Sequence, residues 1–140
     1  MRDDTSRAVK LLRAEALTCA VCRGDVVYQS RERGVKPLLD WLDRGLSLGG
    51  FCAADKVVGA GAAYLYVLLG VAELYAGIIS RDAQKVLTRY GISVHFGQCV
   101  PYIVNRAGDG RCPSEQAVAE ATDPLDALAR IRRRLAEMKK

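Results

Sequence analysis

FCAADKVVGAGAAYLYVLLG, residues 51–70, is the stretch on which the fold turns. A polar pair, Asp55 and Lys56, stands near its start. No charged residue then appears from Val57 to Ala72, a run of 16. A surface helix shows one apolar stripe, whereas a helix apolar on every side is a buried one. The pattern predicts a central helix from about Asp55 to Leu69, covered on both flanks. Asp55 would cap it and Gly70 would stop it. The run falls short of the ~18 residues expected of a membrane-spanning helix, so a buried helix is the better reading.

Working outward, Asp4–Glu15 is amphipathic, with Ala8, Leu11, Leu12 and Glu15 at helical spacing and Asp4, Thr5 and Ser6 as candidate caps. LTCAVC (17–22) and VVYQS (26–30) flank the turn Arg23-Gly24-Asp25, which predicts an antiparallel hairpin. Pro37 suits the first turn of a helix ended by Gly45, and Leu46–Phe51 is a loop. On the other side, ELYAGIIS (73–80) is a buried strand and Arg81–Tyr90 a helix stopped by Gly91. Ile92–Gln98 is a strand with Ile92, Val94 and Phe96 on one face. A short helix begins near Pro113. The last begins at Asp123-Pro124, with Leu125, Leu128, Ile131, Leu135 and Met138 as its stripe. A hairpin followed by alternating strands and helices implies a mixed sheet flanked by helices. With 140 residues, half of them hydrophobic, a single domain is expected over 1–140.

The balance of 21 Lys and Arg against 16 Asp and Glu gives +5, which permits an anionic ligand without demanding one. Aromatic residues are only 6%, a poor supply for a base-stacking platform. The basic run IRRRL (131–135) reads as the wet face of the last helix, so nucleic acid is not an expected partner. Five cysteines and a charged N-terminus without an apolar signal segment point to free thiols and a cytoplasmic location, with no membrane partner.

Gly59-Ala60-Gly61-Ala62-Ala63-Tyr64 looks superficially like a dinucleotide fingerprint. It falls inside the predicted helix instead of at a strand-to-helix turn, so its small residues are read as packing. Cys19-x-x-Cys22 lies on a predicted strand, where residues three apart point to opposite faces. No second such pair exists and His95 is the only histidine, so no metal is assigned. Arg31, Arg33 and Lys36 precede or open a helix, against its dipole; an anion would resolve the conflict, and plain solvation is the alternative. NRAGDGRCPSE (105–115) is the most suggestive stretch. Gly108 and Gly110 let the backbone approach a ligand. Cys112 takes the N-cap slot and Glu115 the third helical position, as in a capping box. A thiol at a helix N-terminus beside Arg106 and Arg111 is expected to have a lowered pKa. Cys112 is then a candidate nucleophile and Glu115 a proton carrier; a purely structural loop-to-helix start is the alternative.

Taken in order, LTC from Leu17, RGVKPLL from Arg33, ADKVVG from Ala54, YVLLG from Tyr66, VPYIVNRAGDGRCPSE from Val100 and DP at Asp123 carry a resemblance. The chain resembles a family of small prokaryotic proteins catalogued as a domain of unknown function with a cytidine deaminase-like fold. That resemblance implies a three-layer α/β/α domain with a mixed sheet whose first two strands are antiparallel. In true deaminases the central helix opens with a zinc ligand, a small residue and a catalytic Glu, and Ala53, Ala54 and Asp55 would stand there. Ser80-Arg81-Asp82-Ala83 would replace the second, Pro-Cys-x-x-Cys motif. Deamination needs a zinc-activated hydroxide. The resemblance therefore implies the fold without the deaminase chemistry.

The function so expected is zinc-independent, cofactor-free binding of a nucleotide or other phosphorylated small ligand at the central-helix N-terminus. Asp55 and Lys56 would face the loop 105–115 across the pocket, Arg33 and Lys36 would neutralise phosphate, Asn105 and Arg106 would orient the ligand, and Gly108 and Gly110 would let the backbone come close to it. Asp55 or Cys112 would carry any catalysis, with Glu115 beside them. One alternative is a non-enzymatic regulatory or interaction module, a homodimer or a docking partner. Another is a thiol-based enzyme or sensor pairing Cys112 with Cys99 or Cys52.

Overall fold

The computed structural model describes residues 1–105 and 107–139. Helix α1 (Asp3–Ala14) leads into the hairpin β1 (Cys19–Arg23) and β2 (Val26–Ser30), then α2 (Lys36–Asp43). Next come β3 (Cys52–Val58), α3 (Ala60–Leu69), β4 (Glu73–Ser80), α4 (Arg81–Arg89) and β5 (Ser93–Val100). Two helices close the chain, α5 (Pro113–Ala117) and α6 (Pro124–Met138). The sheet order is β2-β1-β3-β4-β5. β1 is antiparallel to β2 and β3, and β3, β4 and β5 are mutually parallel, so the sheet is mixed as expected. No described helix is long and apolar enough to cross a membrane.

The expected central helix is in fact two elements. Its first half, with Asp55 and Lys56, is strand β3; only Ala60 onward is helix. Val57-Val58 favours extended backbone, and Gly59, itself extended at φ −91° and ψ 177°, makes the strand-to-helix turn. Asp55 is therefore no helix cap. The part that is helical matches the expectation of burial on all sides: Leu65, Tyr66 and Leu69 are enclosed by α2, α4, α5 and α6 on one side of the sheet. Each such side chain contributes roughly 1.5–3 kcal/mol. Gly70, at φ +87°, ends the helix in the left-handed region.

Alternation along the strands sorts the core. Cys19, Val21, Ala53, Leu74 and Ala76 face the α2–α6 layer. Ala20, Cys22 and Ala54 face α1 with Ala8, Val9 and Leu12. Cys19 and Cys22 thus lie on opposite faces, as strand geometry requires. The alternation slips once: Val58 and Ile79 rejoin the α2–α6 face two intervening residues after Asp55 and Ala76. Pairing skips Lys56 with Gly77 and Gly77 with Gly97 at this point. A Cβ on Gly77 would lie 2.7 Å from the Lys56 carbonyl oxygen, and one on Gly97 2.9 Å from that of Gly77. Glycine is what allows the three strands to bend together.

Two smaller expectations need correction. Thr5 does not cap α1; its hydroxyl donates to buried Glu73 at 2.6 Å, pinning α1 to β4. On α6, Ile131 and Ala127 are buried with Leu128 and Leu135 partly so, but Leu125 and Met138 are exposed. Leu125 stands two residues before Ala127 and so on nearly the opposite side of the helix, and Met138 is its last residue.

Candidate functional site

In open sheets with parallel strands, ligands bind where the strands' carboxyl ends meet helix N-termini. Here that end gathers segments distant in sequence. The Lys56 amide donates to the Thr18 carbonyl at 3.0 Å, and the Thr18 hydroxyl donates to the Glu32 carbonyl at 2.6 Å. The segment Arg31–Lys36 after β2 is thereby placed at the same end as Gly59, Ser80 and the loop after β5.

The centre of this end is filled by Glu115. One of its carboxylate oxygens accepts from the Ala60 amide at 2.8 Å and the Ser80 hydroxyl at 2.5 Å; the other accepts from the Ile103 amide at 2.6 Å. Ser80 in turn caps α4 by accepting from the Ala83 amide at 3.1 Å. Glu115 therefore ties together the starts of α3 and α4 and the loop from Pro101. It does not complete a capping box on its own helix, since the Cys112 amide donates to the Ile103 carbonyl. α3 has no side-chain cap of its own, and an apolar helix starting inside a protein needs an outside acceptor. That uncapped start, with small Gly59 and Gly61, was the sequence signal for an incoming carboxylate. A Cβ on Gly61 would lie 2.9 Å from the Ser114 carbonyl oxygen, so α5 closes directly over α3. Gly59 does occupy a strand-to-helix turn, contrary to the packing-only reading of the glycine stretch. The helix start is nevertheless covered, which leaves no room there for a pyrophosphate.

Asp55 lies one layer deeper. Its carboxylate accepts from the Tyr66 hydroxyl at 2.6 Å and from the Val57 amide at 3.3 Å. Burial pushes the Asp55 carboxyl up to about 7, against those lowering hydrogen bonds. Burial likewise raises the Tyr66 hydroxyl and the neighbouring Cys19 thiol, and the Asp55 charge adds to both. This is a sealed polar cluster inside the α2–α6 layer, not the mouth of a site. Neither Ala53, Ala54 nor Asp55 stands at the start of a helix, as the resemblance implied; Gly59-Ala60-Gly61 does. Ser80-Arg81-Asp82-Ala83 is at the start of α4, where it was expected.

After β5, an isolated antiparallel bridge joins Val104 to Arg111. Asn105 accepts from the amides of Gly108 (2.9 Å) and Asp109 (3.2 Å) and donates to the Asp109 carboxylate (3.0 Å). Its polar atoms shape the loop instead of facing outward. Gly108, at φ +77°, makes the tight turn. Arg106 lies outside the described residues. Arg111 stacks its guanidinium over the exposed Tyr102 ring, 4.7 Å from the centroid. Cys112 does sit at the N-cap of α5, but its sulfur contacts the Ser114 hydroxyl at 3.2 Å and caps nothing. Cys52 is buried at the opposite, amino end of β3, so the fold does not bring it to Cys112.

Among the cations, Lys36 is engaged by Glu32 at 3.1 Å and Asp40 at 3.0 Å. Among the described residues, Arg33, Lys56, Arg81 and Arg111 form no ion pair. All four belong to this end of the sheet and are exposed. Neither Tyr102 nor Arg81 is marked by the sequence as a ligand-binding residue. Their placement depends on β4 and β5 ending together.

A family profile described as a domain of unknown function (DUF1893; TM1506) matches residues 7–135. The chain is similar to the crystal structure of a DUF1893 family protein, TM1506, from Thermotoga maritima. Identity is 28%, the match covers 98% of this chain and 92% of that one, and the TM-score is 0.85. No curated protein matches the chain.

Proposed function

Because the chain belongs to the DUF1893 family, whose description carries no activity, we propose a function from the geometry: it binds a small phosphorylated ligand at the carboxyl end of its sheet. The supporting observation is four exposed cations, Arg33, Lys56, Arg81 and Arg111, that have no anionic partner among the described residues and belong to the end of the sheet that Glu115 closes. The ligand lies outside the helix N-terminus, because Glu115 already supplies the anion that α3 calls for. Its phosphate is held by these charges, and its apolar or aromatic part lies against Tyr102. Nucleotides have both parts. No chemical step is assigned, since Asp55 is sealed away and Cys112 has a hydroxyl, not a base, beside it.

The test is a thermal-shift panel of nucleoside mono-, di- and triphosphates at millimolar concentration. A ligand at a hundred times its Kd stabilises by about 2.7 kcal/mol, which is several degrees for a chain of this size. The shift is expected to vanish in Lys56→Ala/Arg111→Ala. No shift with any member, or an undiminished shift in the double variant, overturns the reading.

A further inference from the structure

Strand β5 ends the sheet, and among the described residues nothing pairs with its outer edge. Exposed edges are ordinarily protected by charged residues, Pro, short length or a cover. β5 runs eight residues as SVHFGQCV, with no Lys, Arg, Asp, Glu or Pro. It is exposed along most of that length, with Phe96 40% accessible. Its pairing with β4 is interrupted at Gly97.

Beside this edge, α4 carries a shallow, open depression of about 500 Å³ lined by Arg81, Gln84, Lys85, Thr88 and Arg89. Three of these are cations at i, i+4 and i+8, so they stack along one face over about 12 Å. None forms an ion pair among the described residues, and no carboxylate lines the depression. The Cys99 thiol donates to the Gln84 side-chain amide oxygen Oε1 at 3.5 Å, which joins this face of α4 to β5. A depression built on one helix face is too open to enclose a compact ligand. It suits an extended chain.

We propose that β5 and α4 together form a docking site for an extended acidic peptide of a partner protein. The peptide adds as a sixth strand on β5, its backbone pairing with the free edge. Its carboxylates lie toward Lys85 and Arg89, with Arg81 at the far end. A second copy of this chain is a poor occupant. A two-fold β5–β5 pairing would bring the two α4 cation rows onto the same side of one continuous sheet, where like charges oppose association. The site is separate from the cations proposed to hold phosphate except for Arg81.

The probe is a fluorescein-labelled ten-residue peptide alternating Glu with Val, followed by anisotropy at 50 mM salt. It is expected to bind, to weaken at least tenfold in Lys85→Glu/Arg89→Glu, and to weaken as much when Lys replaces its Glu. A central Pro in the peptide is also expected to abolish binding, and bound peptide to slow hydrogen exchange of the 93–100 amides. Both substituted side chains are exposed, so circular dichroism and an unchanged nucleotide thermal shift check that the variant folds. Absence of binding at 1 mM peptide overturns the proposal. So does undiminished binding of the Pro peptide, which would mean charge alone. A 12-nucleotide single strand binding the same face where the peptide does not would replace the peptide with nucleic acid. A dimer by light scattering with the 93–100 amides protected would replace it with a second copy.

Discussion

Two buried carboxylates set the residue scale. The folded pKa of Asp55 stands at about 7, against roughly 4 in an unfolded chain. Between those values the native state keeps a proton that the unfolded chain has released. Stability from this group therefore falls as pH rises from about 4 to about 7 and levels off above. Asp55→Asn cannot ionise and removes that slope. Urea titrations at pH 4 and pH 8 should show the difference between variant and wild type moving in the variant's favour by on the order of 3 kcal/mol; parallel pH dependence would contradict this. Glu115 is a different case, a carboxylate that takes three hydrogen bonds, with both of its oxygens engaged. Glu115→Ala strands the Ala60 and Ile103 amides and the Ser80 hydroxyl, and is expected to cost ~3 kcal/mol or more in urea unfolding. Glu115→Gln should fall between, since one acceptor oxygen survives. If Glu115 merely capped its own short helix, Glu115→Ala would cost about 1 kcal/mol. The residue itself was visible in the sequence as a capping carboxylate. Its partners were not, because they lie 12 to 55 residues away.

At the scale of elements, most boundaries follow from local patterning. Strand β4 matches its expected span, and α4 and the hairpin nearly so. The failure at β3 is instructive. A run of small and apolar residues reads equally well as buried helix or buried strand, and Val57-Val58-Gly59 was the only local mark of the turn. The coordinated bend at Lys56, Gly77 and Gly97 follows from backbone approach between strands, which no single strand's sequence displays. Gly77→Ala should cost about 2 kcal/mol, as an added methyl in a tight interior does. Gly49→Ala, where a Cβ meets nothing within 4 Å, should stay within about 0.5 kcal/mol. On α6, Ile131→Ala is expected to cost 2 kcal/mol or more, in the usual range of about 2–5. Leu125→Lys should be nearly neutral, since its side chain is 70% exposed. Equal costs at the two positions would restore the full five-residue stripe.

At the scale of the whole molecule, α3 is held by the sheet and by four other helices, so losing any layer exposes it. A single cooperative transition is expected. Trp41, the only tryptophan, is buried against Tyr28 at 6.3 Å between ring centroids and reports the α2 side. Its fluorescence and the far-UV dichroism should trace one urea curve; separate midpoints would mean independently folding parts. Composition and periodicity alone were enough to establish a mixed α/β sheet, an opening hairpin and a buried central helix. These features depend on neighbours in the chain, through hydrophobic period and turn chemistry. The tertiary structure decided which carboxylate fills the α3 start, that Asp55 is enclosed with Tyr66, and which cations have no anionic partner among the described residues. It also decided that β5 is left as an open edge beside a cationic helix. Each of these depends on which groups meet across the fold, and burial and pairing are properties of that meeting.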